Sequence, residues 1–172
     1  MNRSLARILK RSSAYLLDIA LLFAILAPAA TLVEWALGIF PKTPTQIYLA
    51  TMISFSLPTW LYFLTSDCSR SGATLGKRVF HMKVTRSSGA RVGLWRSLAR
   101  TAIKLLPWEL AHIFGFALAG IISTSLQTAG LIAANVLVVV YGAVLIATRG
   151  KQSMHDLLAK TQCDFHEEDS LP

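Results

Sequence analysis

Acidic residues are scarce in this chain: nine Asp and Glu stand against seventeen Lys and Arg in 172 residues, a formal net charge of +8. The excess invites a nucleic-acid reading, but the basic residues flank apolar runs and lie on no recognisable nucleic-acid fold, so no nucleic acid is expected as a partner. Cysteine is scarcer still, with only Cys68 and Cys163. Two isolated cysteines lack zinc-site spacing, and on a cytoplasmic face they stay reduced, so no disulfide is expected. A phosphate-binding loop is also missing. In Gly72-Ala73-Thr74-Leu75-Gly76-Lys77-Arg78 three residues separate the glycines and Arg78 follows the lysine, where the nucleotide motif needs about four residues and then a Ser or Thr for magnesium. No nucleophile–base pair or complete metal site is visible, which argues against an enzyme, a metal or a cofactor. Finally, residues 131–147 lack a polar stripe, with Asn135 and Tyr141 as the polar exceptions. A soluble helix of that length would show one.

What the chain does have is apolar length, with 53% hydrophobic residues. A bilayer core needs about 20 mostly apolar helical residues. The stretches 15–37, 46–65, 108–125 and 128–148 come close to this. All but one of the Lys and Arg fall in residues 1–11, 69–104 or 149–172, the exception being Lys42. Short cytoplasmic loops retain such residues, so both termini, the loop 66–107 and the tail 149–172 are expected in the cytoplasm. The expected fold is an all-α membrane protein, a single domain over 1–172, with four transmembrane helices as two hairpins in a bacterial inner membrane. Phe40-Pro41-Lys42-Thr43-Pro44 forms the first external connection and Ser125-Leu126-Gln127-Thr128 the second. Tyr15, Trp35, Tyr48, Tyr62 and Trp108 suit an interfacial aromatic belt. Ala27-Pro28-Ala29 mimics a signal-peptide cleavage site, but the apolar run continues to Phe40 and contains Asp18, so a retained span is expected. The acidic end, Asp164 to Asp169, reads as frayed and solvated.

Within the loop, residues 79–85 alternate apolar and polar side chains before Ser87-Ser88-Gly89, so a short strand or β-hairpin is expected. Residues 93–106 switch to helical spacing: Leu94, Leu98, Ala102 and Leu105 share one face, and Arg96, Arg100 and Lys104 the other. This predicts an interfacial amphipathic helix lying along the membrane plane. Its cations, with Lys77 and Arg78 upstream, are expected to face anionic lipid, and Pro107 to reset the chain for the third span.

Asp18, Glu109 and His112 are ionisable residues within apolar runs. Such groups cost several kcal/mol if left unpaired, so each needs a partner or a water-filled recess. Arg11 precedes Asp18 by almost two turns and shares its helix face, so both can address one neighbouring segment. Glu109 and His112 have the i, i+3 spacing of carboxylate-bridged metal bundles, but one copy is too few ligands for such a site. Glu109 also suits the positive end of a helix beginning near Pro107. Ser153-Met154-His155-Asp156 has capping-box spacing, and His155 and Asp156 fall on the same side as Arg11, Arg96 and Arg100. A shared polar cluster of Arg11, Asp18 and the His155-Asp156 segment is therefore expected, with Arg96 or Arg100 adding a cation.

Three ordered motifs give the chain a family resemblance. They are Arg11-Ser12-Ser13-Ala14-Tyr15-Leu16-Leu17-Asp18, Gly72 to Val79 followed by Lys83-Val84, and Lys151 to Thr161 containing Asp156. The chain resembles the RDD family of small integral membrane proteins, named for one Arg and two Asp, which here correspond to Arg11, Asp18 and Asp156. The resemblance implies a multi-span inner-membrane protein with transport as the suggested role, cation/proton exchange being its most concrete form. It says nothing of Glu109 or His112. Physically, Asp18 can alternate between proton and cation while Arg11 tunes it and Asp156 charges the mouth of the pathway. Four helices are few for a pathway, so a homo-oligomer is expected. The competing reading is a non-transporting scaffold or assembly factor that binds a partner protein or anionic lipid through its basic face.

Overall fold

The computed structural model describes residues 3–165. Helix α1, Arg3–Leu37, is continuous from the basic start through the first apolar run, and its buried positions Ala14, Asp18 and Leu22 recur every four residues, forming one inward stripe. The next rod begins with a capping box in which Thr43 and Gln46 satisfy each other's backbone donors, with Pro44 at the first helical position. It runs as α2 (Pro44–Thr51), a π-helical segment (Met52–Ser56) and α3 (Leu57–Cys68). After a loop come α4 (Leu75–Val79), β1 (Met82–Arg86) and α5 (Leu94–His112), which continues into a second π-helical segment (Ile113–Ala117). Helix α6 (Thr124–Ala147), α7 (Met154–Ala159) and β2 (Thr161–Phe165) complete the described chain. Among the described residues three helical stretches are long and apolar enough to cross a membrane: Arg3–Leu37, Pro44–Cys68 and Thr124–Ala147.

Several expectations need correction. Helix α5 does not break at Pro107, which lies inside it. Proline has no N–H to donate one turn back and normally strands that carbonyl. Here the Tyr141 hydroxyl of α6 donates to the Ile103 carbonyl at 2.6 Å, replacing the lost bond. The predicted interfacial helix and the start of the predicted third span are therefore one helix. The second connection also falls earlier than expected: Ser123 caps α6, accepting from the Leu126 N–H, and Gly120 turns with φ of +79°. The loop does contain a strand, but β1 finds its antiparallel partner in the tail, with Met82 opposite Phe165 and Arg86 opposite Thr161. A single bridge, Thr85 to Arg91, is what remains of the expected hairpin. Asp164 is ordered in β2 and accepts from the Thr85 hydroxyl at 2.6 Å. The rest of the acidic end, residues 166–172, lies outside the described residues.

The core has two parts. Leu22 of α1, Phe63 of α3 and Leu105 of α5 pack together between the long helices, with Trp60 and Tyr62 against them. Ala14, Met82 and Cys163 join α1 to the sheet. Gly76 permits this second junction, because a Cβ there would lie 2.1 Å from the Ala14 carbonyl oxygen. A side chain would push α4 off α1. Gly72, at φ +59°, similarly lets the loop lie against β1, with the Val84 N–H donating to its carbonyl at 2.7 Å.

Candidate functional site

Three Asp side chains are almost completely buried: Asp18 at 2% exposure, Asp67 at 1% and Asp156 at 0%. Burying a carboxylate costs several kcal/mol unless charge and hydrogen bonds replace water, so their partners define what each can do. Asp156 is held by two cations. Arg11 pairs with one oxygen and Arg100 reaches the other at 2.9 Å. The capping box adds the Ser153 hydroxyl at 2.7 Å and its N–H at 3.0 Å, while Thr161 donates at 3.2 Å. Arg11 also donates to the Lys151 carbonyl at 2.9 Å and to the Ser153 hydroxyl at 3.0 Å, tying α1 to the approach to α7. Burial by itself would raise the Asp156 proton affinity; Arg100 and then Arg11 overcome it and hold the carboxyl well below the usual range.

Asp67 anchors a second set. Lys77 of α4 donates at 2.7 Å, Arg100 of α5 at 3.2 Å, and the Lys104 ammonium stands 3.9 Å away. Arg100, itself 1% exposed, bridges the two sets, so an ion-pair chain runs from α1 through α7 and α5 to α3 and α4. Asp18 is different. Tyr62 and Thr74 each donate a hydroxyl at 2.6 Å and the Gly76 N–H donates at 2.7 Å. No cation pairs with it among the described residues.

The predicted cluster thus brings together Arg11, Asp156, Arg100 and His155, with Asp18 on the wall of the same cavity. Arg11 turns to Asp156 and not to Asp18, although both lie on its helix face. His155 contacts the Ser153 hydroxyl through Nε2 at 2.8 Å. Since that hydroxyl gives its proton to Asp156, the neutral ring is protonated at Nε2, leaving Nδ1 buried without a partner. Burial, and then the Arg100 charge, keep this imidazole well below its ordinary value. Arg96 lies outside the cluster, exposed and 3.4 Å from the Lys160 carbonyl. Lys77 and Lys104, expected to face lipid headgroups, are instead buried beside Asp67, whose carboxylate lies 2.7 Å from the Lys77 ammonium and 3.9 Å from the Lys104 Nζ. Arg78 is exposed and reaches only the Ser71 hydroxyl and Ala73 carbonyl.

Glu109 and His112 form a separate site. Glu109 accepts from Trp60 Nε1 at 2.9 Å and from the Ser56 hydroxyl at 3.4 Å, and Ser56 ends the first π-helical segment. His112 packs edge-on against Trp108 with ring centres 4.6 Å apart. The order along three helices fixes the layers: Asp18 precedes Leu22, Leu105 precedes Glu109, and Trp60 precedes Phe63. The Leu22–Phe63–Leu105 plug therefore lies between the Asp18 layer and the Glu109 layer, which are roughly 12 Å apart along the helix axes.

Asp67, Tyr62, Thr74 and Lys77 are the partners that the motif reading missed or misdirected. A signal for Asp67 existed: from Thr43 to Ser69 it is the only charged residue. No group of three or more His, Cys, Asp or Glu able to hold a metal ion occurs among the described residues. The oxygens of Asp18, Tyr62 and Thr74 nonetheless converge, and hydroxyl oxygens can ligate a hard cation once their protons rotate away. The RDD family model matches residues 5–160. No curated protein and no solved structure matches the chain.

Proposed function

Because the chain belongs to the RDD family of membrane proteins, we propose that it exchanges a monovalent cation for protons, with Asp18 as the carboxylate that carries one or the other. One observation carries this reading. Asp18 and Glu109 have no ion-pair partner among the described residues, and they stand on opposite sides of the apolar plug. Asp67 and Asp156 are locked to cations and cannot change charge without breaking buried pairs. Asp18 can take a proton or cation by reorienting two hydroxyls, Tyr62 and Thr74. In this reading the stretch from Leu94 to Ala117 supplies a fourth crossing beyond Pro107, the termini and ion-pair layer face the cytoplasm of a bacterial cell, and two or more copies complete the path. Cysteine labelling checks the orientation: position 42 should react only from outside, and reaction only from inside rejects it.

The scaffold reading is favoured by a different observation. The ion-pair chain joins five helices into one rigid layer, leaving Arg91 and Arg96 exposed for a partner. Cation-driven proton flux in proteoliposomes separates the two. Flux from the intact protein that disappears in Asp18→Asn supports exchange; no flux from a folded, reconstituted protein leaves the scaffold.

A further inference from the structure

A cavity of about 450 Å³ lies between α1, α5 and α6, a size within the range of ligand pockets, roughly 300–1,000 Å³. Helix α6 packs on α5 and its π-helical extension but makes no comparable contact with α1, so the cavity occupies the gap. Its wall changes character along its length. At one end are Arg11, Arg100, Lys104 and His155; at the other are Pro107, Ala111, Ala134 and Val138.

The charged end is arranged for an anion. Arg11, Lys77, Arg100 and Lys104 line the cavity together with one carboxylate, Asp18, which pairs with none of them, whereas Asp67 and Asp156, which do pair with these cations, stay out of the lining. The cations face inward and their carboxylates stand behind. Lys104 carries the strongest indication. Its side chain is 5% exposed, yet its ammonium, 3.9 Å from Asp67 and 3.8 Å from the centre of the Phe63 ring, has no hydrogen-bond acceptor among the described residues. A buried amine that faces a cavity and has no hydrogen-bond acceptor calls for one from elsewhere. His155 Nδ1, on the same wall, is also buried without a partner.

We propose that this cavity holds one anionic phospholipid, with its phosphate on Lys104 beside Arg11 and Arg100, a headgroup hydroxyl on His155 Nδ1, and one acyl chain along the apolar wall between α1 and α6. A soluble phosphate would leave the apolar wall from Pro107 to Val138 unused, and a zwitterionic lipid would bring its own cation against four others. The proposal does not depend on the exchange reading, since a resident lipid serves a scaffold equally.

Native mass spectrometry and thermal unfolding of the purified full chain in detergent test it, using phosphatidylglycerol, phosphatidylcholine and glycerol phosphate as separate probes. Phosphatidylglycerol should bind one to one and raise the melting temperature, with little effect from the other two. Loss of a charge-assisted contact in Lys104→Met should weaken phosphatidylglycerol about tenfold. Val138→Trp, which fills the apolar end and leaves every ion pair intact, should weaken it as well. Equal binding of phosphatidylcholine overturns the proposal in favour of unspecific lipid. An equal effect from glycerol phosphate overturns the acyl-chain assignment, and unchanged phosphatidylglycerol binding in both variants overturns the site.

Discussion

Replacing Asp67 by Asn tests the ion-pair layer at its least redundant point. Asp67 compensates Lys77, Arg100 and Lys104, all at most 9% exposed, and of these only Arg100 has a second carboxylate, Asp156. The amide keeps the shape and removes the charge, leaving two buried ammonium groups without any carboxylate in contact. Removing one partner of a buried pair costs roughly 3–5 kcal/mol. At about 2–4 °C per kcal/mol for a chain of this length, that corresponds to a melting-temperature loss of roughly 6–20 °C. Thermal unfolding of the detergent-solubilised protein reads it directly. Adding Lys104→Met to Asp67→Asn should recover part of the loss, because one uncompensated cation disappears with little change in volume. A shift below about 3 °C for Asp67→Asn, under the scale above, would refute the reasoning that these cations depend on this carboxylate.

Three further perturbations follow from the same structure. Gly76→Ala should strongly destabilise the protein and detach α4 from α1, since its Cβ would meet the Ala14 carbonyl at 2.1 Å; accelerated proteolysis of residues 69–80 is the readout. Tyr141→Phe should cost about 1–3 kcal/mol by orphaning the Ile103 carbonyl, and Pro107→Ala should cancel most of that cost by restoring an N–H donor; additive effects of the two would reject the assigned bond. Melting temperature should fall as pH drops below about 6.5, because unfolded His155 then takes up protons that the folded, neutral ring does not. Asp156, also depressed in the folded state, adds to that loss only in stronger acid, below its ordinary value of 3.8. His155→Gln should flatten the near-neutral part of the profile, and an unchanged slope would reject the attribution.

Much of this arrangement was legible because charge in an apolar run is conspicuous. Asp18 stood out on that ground, Arg11 by sharing its helix face and Asp156 by its capping-box spacing, while the i, i+4, i+8 spacing put Arg96, Arg100 and Lys104 along one helix side. Where that side points was not legible. Lipid phosphates and buried carboxylates attract the same cations, and the deciding group, Asp67, sits on a helix 33 residues before Arg100. Pro107 misled for a similar reason. Its cost depends on whether the orphaned carbonyl finds a donor, and Tyr141 lies 38 residues beyond Ile103. The strand in the loop was visible in its alternation, but alternation cannot name a partner, which proved to be β2 and not a hairpin neighbour. The Lys77 ammonium was likewise assigned outward because nothing local opposes it; its acceptor, Asp67, lies across the loop at 2.7 Å.

Proton flux driven by a sodium or potassium gradient, in proteoliposomes containing either the intact chain or Asp18→Asn, tests the exchange reading most directly. The expected result is coupled flux from the intact chain and background flux from Asp18→Asn, whose melting temperature and yield confirm that it remains folded. Full flux from Asp18→Asn contradicts the assignment of Asp18, and absence of flux from the intact chain with either cation contradicts exchange itself.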